Sequence, residues 1–504
     1  MKMLKKSISL ILCIITIFSC FALSASAQSS SERLPQVYVA GFESRRIYLK
    51  DDPNKTMLFP VNFDLLMENL KRFEEYTTEA VENKEYKLVY NYLYSAFYDT
   101  LGLYALKGDG MTGVNENVVC EAPGFSDEGR GFYYFTYDSR LSPIDIAAQL
   151  NDFIKRVQEH SGSEKVELVG ASYGGTVVAT YLNEYPEMHK YLDSVLLSVP
   201  SFGGFSAIGE LFSGDFYVDH DTLTQYAYVG MNNEDIGLLL SVLNKSGLLK
   251  LILEWMLLPA FKVVAMDAAR DVFHDTIATN PSIWTFVPDE YFESAMKNMY
   301  GRNYADPDQE YAGVISKAIY FNENIQKRLD EIYLEAQADG IKMNIICKYG
   351  RPPMPLSEKG SFMSDGSVDI RDVTMGATTS EYGKTLPFYY RQKKFREYNF
   401  MSPDRCIDAS TGVDPMHTWY IRGVDHRDQS LGYNKLIEYI IYEDPDVFSG
   451  SEFPQFTYAL PDGNIAPITG KQKVERTTLI RDCINLTKRV VEIVSDMVKE
   501  KIGK

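Results

Sequence analysis

The chain has 504 residues, 45% apolar and 13% aromatic, and 51 basic against 69 acidic side chains give it a formal charge of −18. This is the composition of a globular protein, long enough for one large domain with insertions or for two. So acidic a chain is a poor nucleic-acid binder, and anionic lipid repels it unless apolar insertion dominates.

Met1 is followed by Lys2, Lys5 and Lys6, an apolar run from Ile8 to Leu23, and the small-residue pattern Ala25-Ser26-Ala27. The pattern predicts a secretory signal peptide over residues 1–27 and an extracellular mature protein; the apolar run is short of the ~20 residues a spanning anchor needs. Phe18 and Ser19 fit a lipobox before Cys20 poorly. Cleavage would leave 48 basic against 69 acidic side chains, a charge of −21. It would also leave Cys120, Cys347, Cys406 and Cys483, too few for a disulfide scaffold and open to three pairings.

Along the mature chain, apolar strand-like runs alternate with helical patterns, predicting an α/β fold with a mostly parallel sheet and helices on both faces. Residues 36–41, 131–137, 165–170, 192–198, 342–348 and 418–422 read as strands. Pro143 opens a helix through Ile144, Ala147, Leu150, Ile154 and Val157, which buries one face and completes a βαβ crossover. Between Gly203 and about Tyr304 the alternation gives way to helical patterns such as Ile236 to Leu243 and Leu248 to Leu258. We read residues 28–204 and 305–504 as two parts of one core and 205–304 as an inserted helical cap. The final apolar pattern, Leu479 to Val494, predicts a C-terminal helix.

The chemistry concentrates at Gly170-Ala171-Ser172-Tyr173-Gly174, a G-x-S-x-G between an apolar strand and a helix. Reversing a strand into a helix over one residue strains that residue and pushes its side chain outward, so Ser172 is the candidate nucleophile. The Tyr173 amide at the helix start is a candidate oxyanion donor, and the loop Gly41-Phe42-Glu43 offers the Phe42 amide as a second. A serine nucleophile needs a histidine base and an acid to orient it, in the chain order Ser, Asp, His if the fold is of the α/β-hydrolase kind. His160 precedes the serine, and His189, His220 and His274 lie before the last strands. His417 precedes a strand, whereas His426 follows one and sits at the edge where Ser172 is displayed. For the acid, Asp365 in the turn Ser364-Asp365-Gly366 leads, with Asp404 and Asp408 as competitors. No cluster of His, Cys, Asp and Glu asks for a metal, no glycine loop cradles a phosphate, and no cofactor is expected.

These motifs resemble the lecithin:cholesterol acyltransferase-like branch of the α/β-hydrolases. Val39 to Arg45 is similar to the family's oxyanion strand and loop, Tyr137-Asp138-Ser139-Arg140 to its Tyr-Asp-Trp-Arg segment, and residues 170–174 to its nucleophile elbow. Leu197 to Gly204 resembles the following strand end, Pro281 to Trp284 with Pro288 the cap, Ser364-Asp365-Gly366 the catalytic acid turn and Gly423 to His426 the histidine loop. Ser139 stands where the family has tryptophan and Ala40 where it usually has proline; about sixty residues separate Asp365 from His426, and no cysteine between Arg45 and Val119 supplies the lid disulfide of some relatives. The resemblance implies a serine hydrolase or acyltransferase of lipid-like acyl esters, with triad Ser172, Asp365 and His426; the leader pattern adds the expectation of secretion, and peripheral contact of the cap with lipid surfaces is expected. An esterase or deacylase for a non-lipid acyl group, and a binding protein that has lost catalysis, remain as alternatives.

Overall fold

A computed structural model of the chain describes residues 33–42, 44–50, 57–59, 86–121, 125, 131–215, 217, 219–226, 234–250, 259–355, 362–450, 452–469 and 487–488. The expected leader, nearly all of the expected C-terminal helix, Cys483, residues 251–258 and Glu43 lie outside them.

The central sheet has eight strands: β1 (Gln36–Val39), β2 (Phe132–Phe135), β3 (Val166–Ala171), β4 (Leu192–Ser198), β5 (Lys342–Tyr349), β6 (Thr418–Arg422), β7 (Phe456–Ala459) and β8 (Ile465–Pro467). Their spatial order is β8-β7-β6-β5-β4-β3-β1-β2, and every neighbouring pair is parallel except β7 and β8. All six residues of β3 are buried, as in a strand covered on both faces. The first six strands agree with the sequence reading to within two residues at each end. The last two, in a stretch broken by Pro454, Pro461 and Pro467, had no such signal.

Strand order decides where a site can form. The chain steps from β1 outward to β2, then returns to lay β3 on the other side of β1. The loops leaving β1 and β3 therefore come side by side at the carboxyl edge of the sheet, the edge at which open α/β sheets carry their sites. Gly170 pairs with Val39 on one side and Leu197 on the other, so the three strands reach this edge together.

Helix α1 (Pro143–Ser161) begins as its sequence predicts: the Ser142 side chain accepts from the Ile144 amide, and Pro143 takes the first position. It ends at Gly162, whose φ of 70° forms the left-handed cap, and it buries Ile146, Ala147, Leu150, Phe153, Ile154 and Val157. Helix α2 (Tyr173–Glu184) is buried from Tyr173 to Leu182 and packs on β3 and α1. One further helix, Tyr86–Leu101, was not evident in the sequence. Its tyrosines at four-residue spacing carry the β-prone chemistry of a strand, yet Tyr90 and Tyr94 donate to Asp271 (2.6 Å) and Asp275 (2.5 Å) of the helix Pro259–Asp275.

Between β4 and β5 the described elements are helical: Ser206–Phe212, His220–Gln225, Glu234–Lys245, Pro259–Asp275, Asp289–Tyr300, Ala312–Asn324 and Leu329–Ala338, together with the short helical turns Ile277–Thr279, Pro281–Phe286 and Gln326–Arg328. They build a second apolar cluster around Trp284, with Phe212, Phe292, Met296, Val314 and Ile315. The Trp284 indole and the Tyr300 hydroxyl both donate to the Ala278 carbonyl, at 2.9 and 2.6 Å, which satisfies the polar ends of two buried rings. Among the described residues no helix is long and apolar enough to cross a membrane.

Candidate active site

Ser172 connects β3 to α2 with φ 55° and ψ −125°, a conformation that costs a non-glycine residue on the order of 1–3 kcal/mol. The turn is held by three backbone bonds: Ser172 N–H to Ser198 O (2.9 Å), and Ser172 O from Gly175 N–H (2.9 Å) and Ser201 N–H (3.3 Å). The glycines answer to space. A Cβ on Gly174 would lie 2.1 Å from the Val39 carbonyl oxygen, and one on Gly170 would lie 2.8 Å from the Gly175 Cα. Only glycine at 174 lets α2 start this close to the end of β1.

The structure brings the three predicted side chains together. His426 Nε2 lies 2.7 Å from Ser172 Oγ, and His426 Nδ1 lies 2.7 Å from Asp365 Oδ2. The Asp365 side chain is fully buried and that of His426 is 15% exposed. Asp365 Oδ1 accepts from the Ser367 and Val368 amides, both at 2.9 Å, so the turn claims one carboxylate oxygen and aims the other at the imidazole. The Asp365 carbonyl also accepts from the His426 amide at 3.1 Å. A carboxylate on Nδ1 keeps the ring proton there and leaves Nε2 free to accept from the serine hydroxyl.

Asp404 and Asp408, the competing acids, serve elsewhere. Asp404 accepts from Tyr349 Oη (2.9 Å), Arg422 (3.1 Å) and Ser402 Oγ (2.7 Å). Asp408 accepts from Tyr390 Oη (2.8 Å) and Ser410 Oγ (2.7 Å). His417, the other late histidine, bonds Asp414 at 2.9 Å, and that bond holds its pKa above the ordinary imidazole value.

The loop after β1 runs against the serine, since a Cβ on Gly41 would touch Ser172 Cβ at 3.4 Å. Tyr137 anchors this loop by donating to the Ala40 carbonyl, with the Gly41 carbonyl 3.4 Å away. The Phe42 ring stands edge-on to Tyr173 and to Phe286, with centroids 5.4 and 5.1 Å apart. Phe42 and Tyr173 thus meet next to Ser172, on an aromatic wall that Phe286 joins to the helical region. Next to the Asp365 turn a small pocket is lined by Phe205, Met354, Phe362, Ser364 and Asp372, whose carboxyl is held up by burial and by Asp369.

Sequence reasoning missed Lys348. At the end of β5 it is 2% exposed, and its Nζ donates to the carbonyls of His426 (3.1 Å) and Asp428 (2.7 Å) while lying 4.1 Å from the centre of the Tyr433 ring. Tyr433 belongs to α3 (Leu431–Glu443) and bonds Ser198 Oγ at 2.5 Å. Burial pushes the Lys348 pKa down to about 8, against the opposing pull of Asp365, Asp428 and Asp425. A buried lysine therefore ties two carbonyls of the histidine loop to the strand beneath it. The only signal in the sequence is a cation directly after the apolar run Ile345-Ile346-Cys347.

Cys120, Cys347 and Cys406 are free, so none of the disulfides that the sequence left open joins these three. Among the described residues no group of three or more His, Cys, Asp or Glu side chains is disposed to hold a metal.

A family model of the α/β hydrolase fold matches residues 121–230, the span from Glu121, eleven residues before β2, through the Ser172 turn and into the helical region. With the sheet order and the strand–serine–helix turn, this decides the fold. The chain has the α/β-hydrolase fold. α/β-Hydrolases are generally hydrolases, and the carboxyl edge of the sheet is where this fold displays its chemistry. Among solved structures, the chain is similar to one described as the crystal structure of the Tle4-Tli4 complex, at 12% identity and a TM-score of 0.26, over 78% of this chain and 94% of that one. No curated protein matches the chain.

Proposed function

We propose that this α/β-hydrolase is an exported serine hydrolase that cleaves or transfers the acyl group of a lipid-like ester. The observation that carries the proposal is the relay of two 2.7 Å contacts from Asp365 through His426 to a serine at φ 55°. In this reading Ser172 Oγ attacks the ester carbonyl as its proton passes to His426 Nε2. The resulting oxyanion is met by the Phe42 and Tyr173 amides. Collapse of the tetrahedral intermediate breaks the bond to the leaving alcohol, which takes the proton from His426, and the acyl group stays on Ser172. Water or a second alcohol, deprotonated by His426, then releases it. Asp365 holds the imidazole in the required tautomer and offsets its transient charge.

The lipid-like substrate is supported by the aromatic wall of Phe42, Phe286 and Phe205, and in this reading residues 205–304 form the cap that extends it. Such layers are where apolar pockets form. The leader pattern at residues 1–27 supports export.

The test is covalent labelling of the mature protein by a fluorophosphonate, followed by hydrolysis of p-nitrophenyl esters of rising chain length. Labelling that disappears in Ser172→Ala and His426→Ala is expected, with kcat/KM rising along the series by about fourfold per methylene that becomes buried, the equivalent of ~0.8 kcal/mol. A preference for acetyl esters would favour a non-lipid deacylase. A folded wild type that resists labelling would point to a binding protein on the same fold.

A further inference from the structure

The excursion between Asp365 and His426 contains a segment unlike the rest of this acidic chain. From Pro387 to Phe400 the residues include four cations, Arg391, Lys393, Lys394 and Arg396, one acid, Glu397, and six aromatic rings, in a protein of formal charge −18. Phe388 is 85% exposed and Tyr389 69% exposed, and Phe395 and Tyr398 also face water. Adjacent large rings held in water mark a surface that something covers.

The loop is built to present them. Within it the Gln392 side chain donates to the carbonyls of Lys394, Phe395 and Tyr398 at 2.8, 2.9 and 2.9 Å and accepts from the Phe400 amide at 2.7 Å. Buried Asp408 accepts from Tyr390 Oη and from the Lys393 amide, and Ser410 Oγ accepts from the Lys394 amide at 3.1 Å. These bonds commit the polar side chains Gln392, Asp408 and Ser410 to fixing the backbone, and Phe395 is held at φ 51°, where a bulky residue is strained. None of the four cations has a carboxylate partner among the described residues. At the stem, Asp404 joins the segment to Tyr349 and Arg422, the last residues of β5 and β6, at the sheet edge that also displays Ser172 and His426.

We propose that the Pro387–Phe400 loop docks the protein on an anionic lipid surface, with Phe388 and Tyr389 entering the interface and the four cations meeting the headgroups. Charge complementarity selects the surface, and geometry selects a lipid plane over a soluble polyanion. A plane meets only the exposed loop, and acids more than a Debye length of about 8 Å from it are screened, whereas a polyanion long enough to bind tightly would run over the rest of an acidic surface. The Phe388 and Tyr389 rings meet edge to face, with planes at 82°, so they form an apolar wedge rather than parallel platforms for stacked bases. Interfaces accept such amphipathic rings, and each Lys or Arg close to an anionic leaflet raises partitioning about fivefold. The docking does not depend on the reaction proposed for Ser172.

Co-sedimentation of the full mature chain with vesicles tests it. Wild type is expected to pellet with equimolar phosphatidylglycerol and phosphatidylcholine and to stay in solution with phosphatidylcholine alone. The pair Lys393→Glu with Lys394→Glu, which keeps both backbone hydrogen bonds, is expected to lose binding by about twentyfold or more, the combined effect of two lysines. The pair Phe388→Ser with Tyr389→Ser is expected to bind more weakly with the salt dependence preserved. Circular dichroism and the melting temperature confirm that each pair folds, and either one alone decides the matter if the other does not. The proposal is overturned if wild type ignores anionic vesicles, if folded variants bind as wild type does, or if heparin or single-stranded DNA is bound in place of the vesicles. Fluorophosphonate labelling without vesicles reports separately on Ser172, so failure of one proposal is distinguishable from failure of the other.

Discussion

Ser172 and His426 touch, yet the molecule positions them by opposite means. Everything that fixes Ser172 lies close in sequence or in the two flanking strands: glycines at 170 and 174, the start of α2, and backbone bonds to residues 198 and 201. His426 stands on a loop that follows a 61-residue separation from Asp365, and it is fixed by side chains reaching in from β5 and the Asp365 turn. The serine is held by backbone geometry and packing, the histidine by charge and hydrogen bonds. Packing fails abruptly when a methyl is added, whereas polar tethers fail in proportion to the charge removed and therefore respond to pH.

Substitutions act on the two modes of positioning separately. The largest effect falls on the relay itself: Asp365→Asn should lower the rate of fluorophosphonate labelling by on the order of 10³–10⁴-fold while leaving the fold intact, as measured by labelling kinetics beside circular dichroism. On the packing side, Gly174→Ala forces a methyl to 2.1 Å from the Val39 oxygen and should cost about 3 kcal/mol or more in urea unfolding. Gly162→Ala, with φ 70° and nothing within 4 Å, should cost only about 1–2 kcal/mol.

Asp404→Asn sharpens the distinction between the two candidate acids. It removes one partner of an ion pair whose side chains are 4% and 17% exposed, so unfolding should become easier by about 3–5 kcal/mol, while labelling of the folded fraction stays within a few-fold of wild type.

Lys348 gives the smaller, pH-dependent effect. Lys348→Met should slow labelling by about tenfold through loss of two charge-assisted bonds to the histidine loop. In wild type the lysine loses its proton near pH 8, so labelling should fall on the alkaline side; Lys348→Arg should move that fall to higher pH. Stability should move the other way. The native lysine titrates at about 8 and an unfolded one at about 10.4, so between those values the unfolded state binds more protons and unfolding becomes harder as pH rises. Rate and stability that fall together above pH 8 would contradict the assignment of the alkaline limb to Lys348.

The same contrast explains what could be read from the sequence. The strands β1 to β6, the helix from Pro143 and the serine turn announce themselves through local periodicity, caps and glycine spacing. His426 and Asp365 were reachable because position relative to a strand end is nearly local. Lys348 was not, because its role lies in contacts 78 and 80 residues away. The helix Tyr86–Leu101 was hidden by tyrosines whose propensity favours strands and whose hydroxyls find their acids 181 residues on. The Pro387–Phe400 loop showed in sequence only as extra length between two catalytic candidates; its outward aromatics emerge from bonds that Gln392 and Asp408 make in three dimensions.

The central claim, that Ser172 is a nucleophile activated through His426 by Asp365 and not by Asp404, is tested most directly by intact-mass and peptide mapping after fluorophosphonate treatment. We predict a single adduct on Ser172 in wild type and in folded Asp404→Asn, a far slower one in Asp365→Asn, and none in Ser172→Ala. An adduct at another residue, or rapid labelling of Asp365→Asn beside a folded but inert Asp404→Asn, would contradict it.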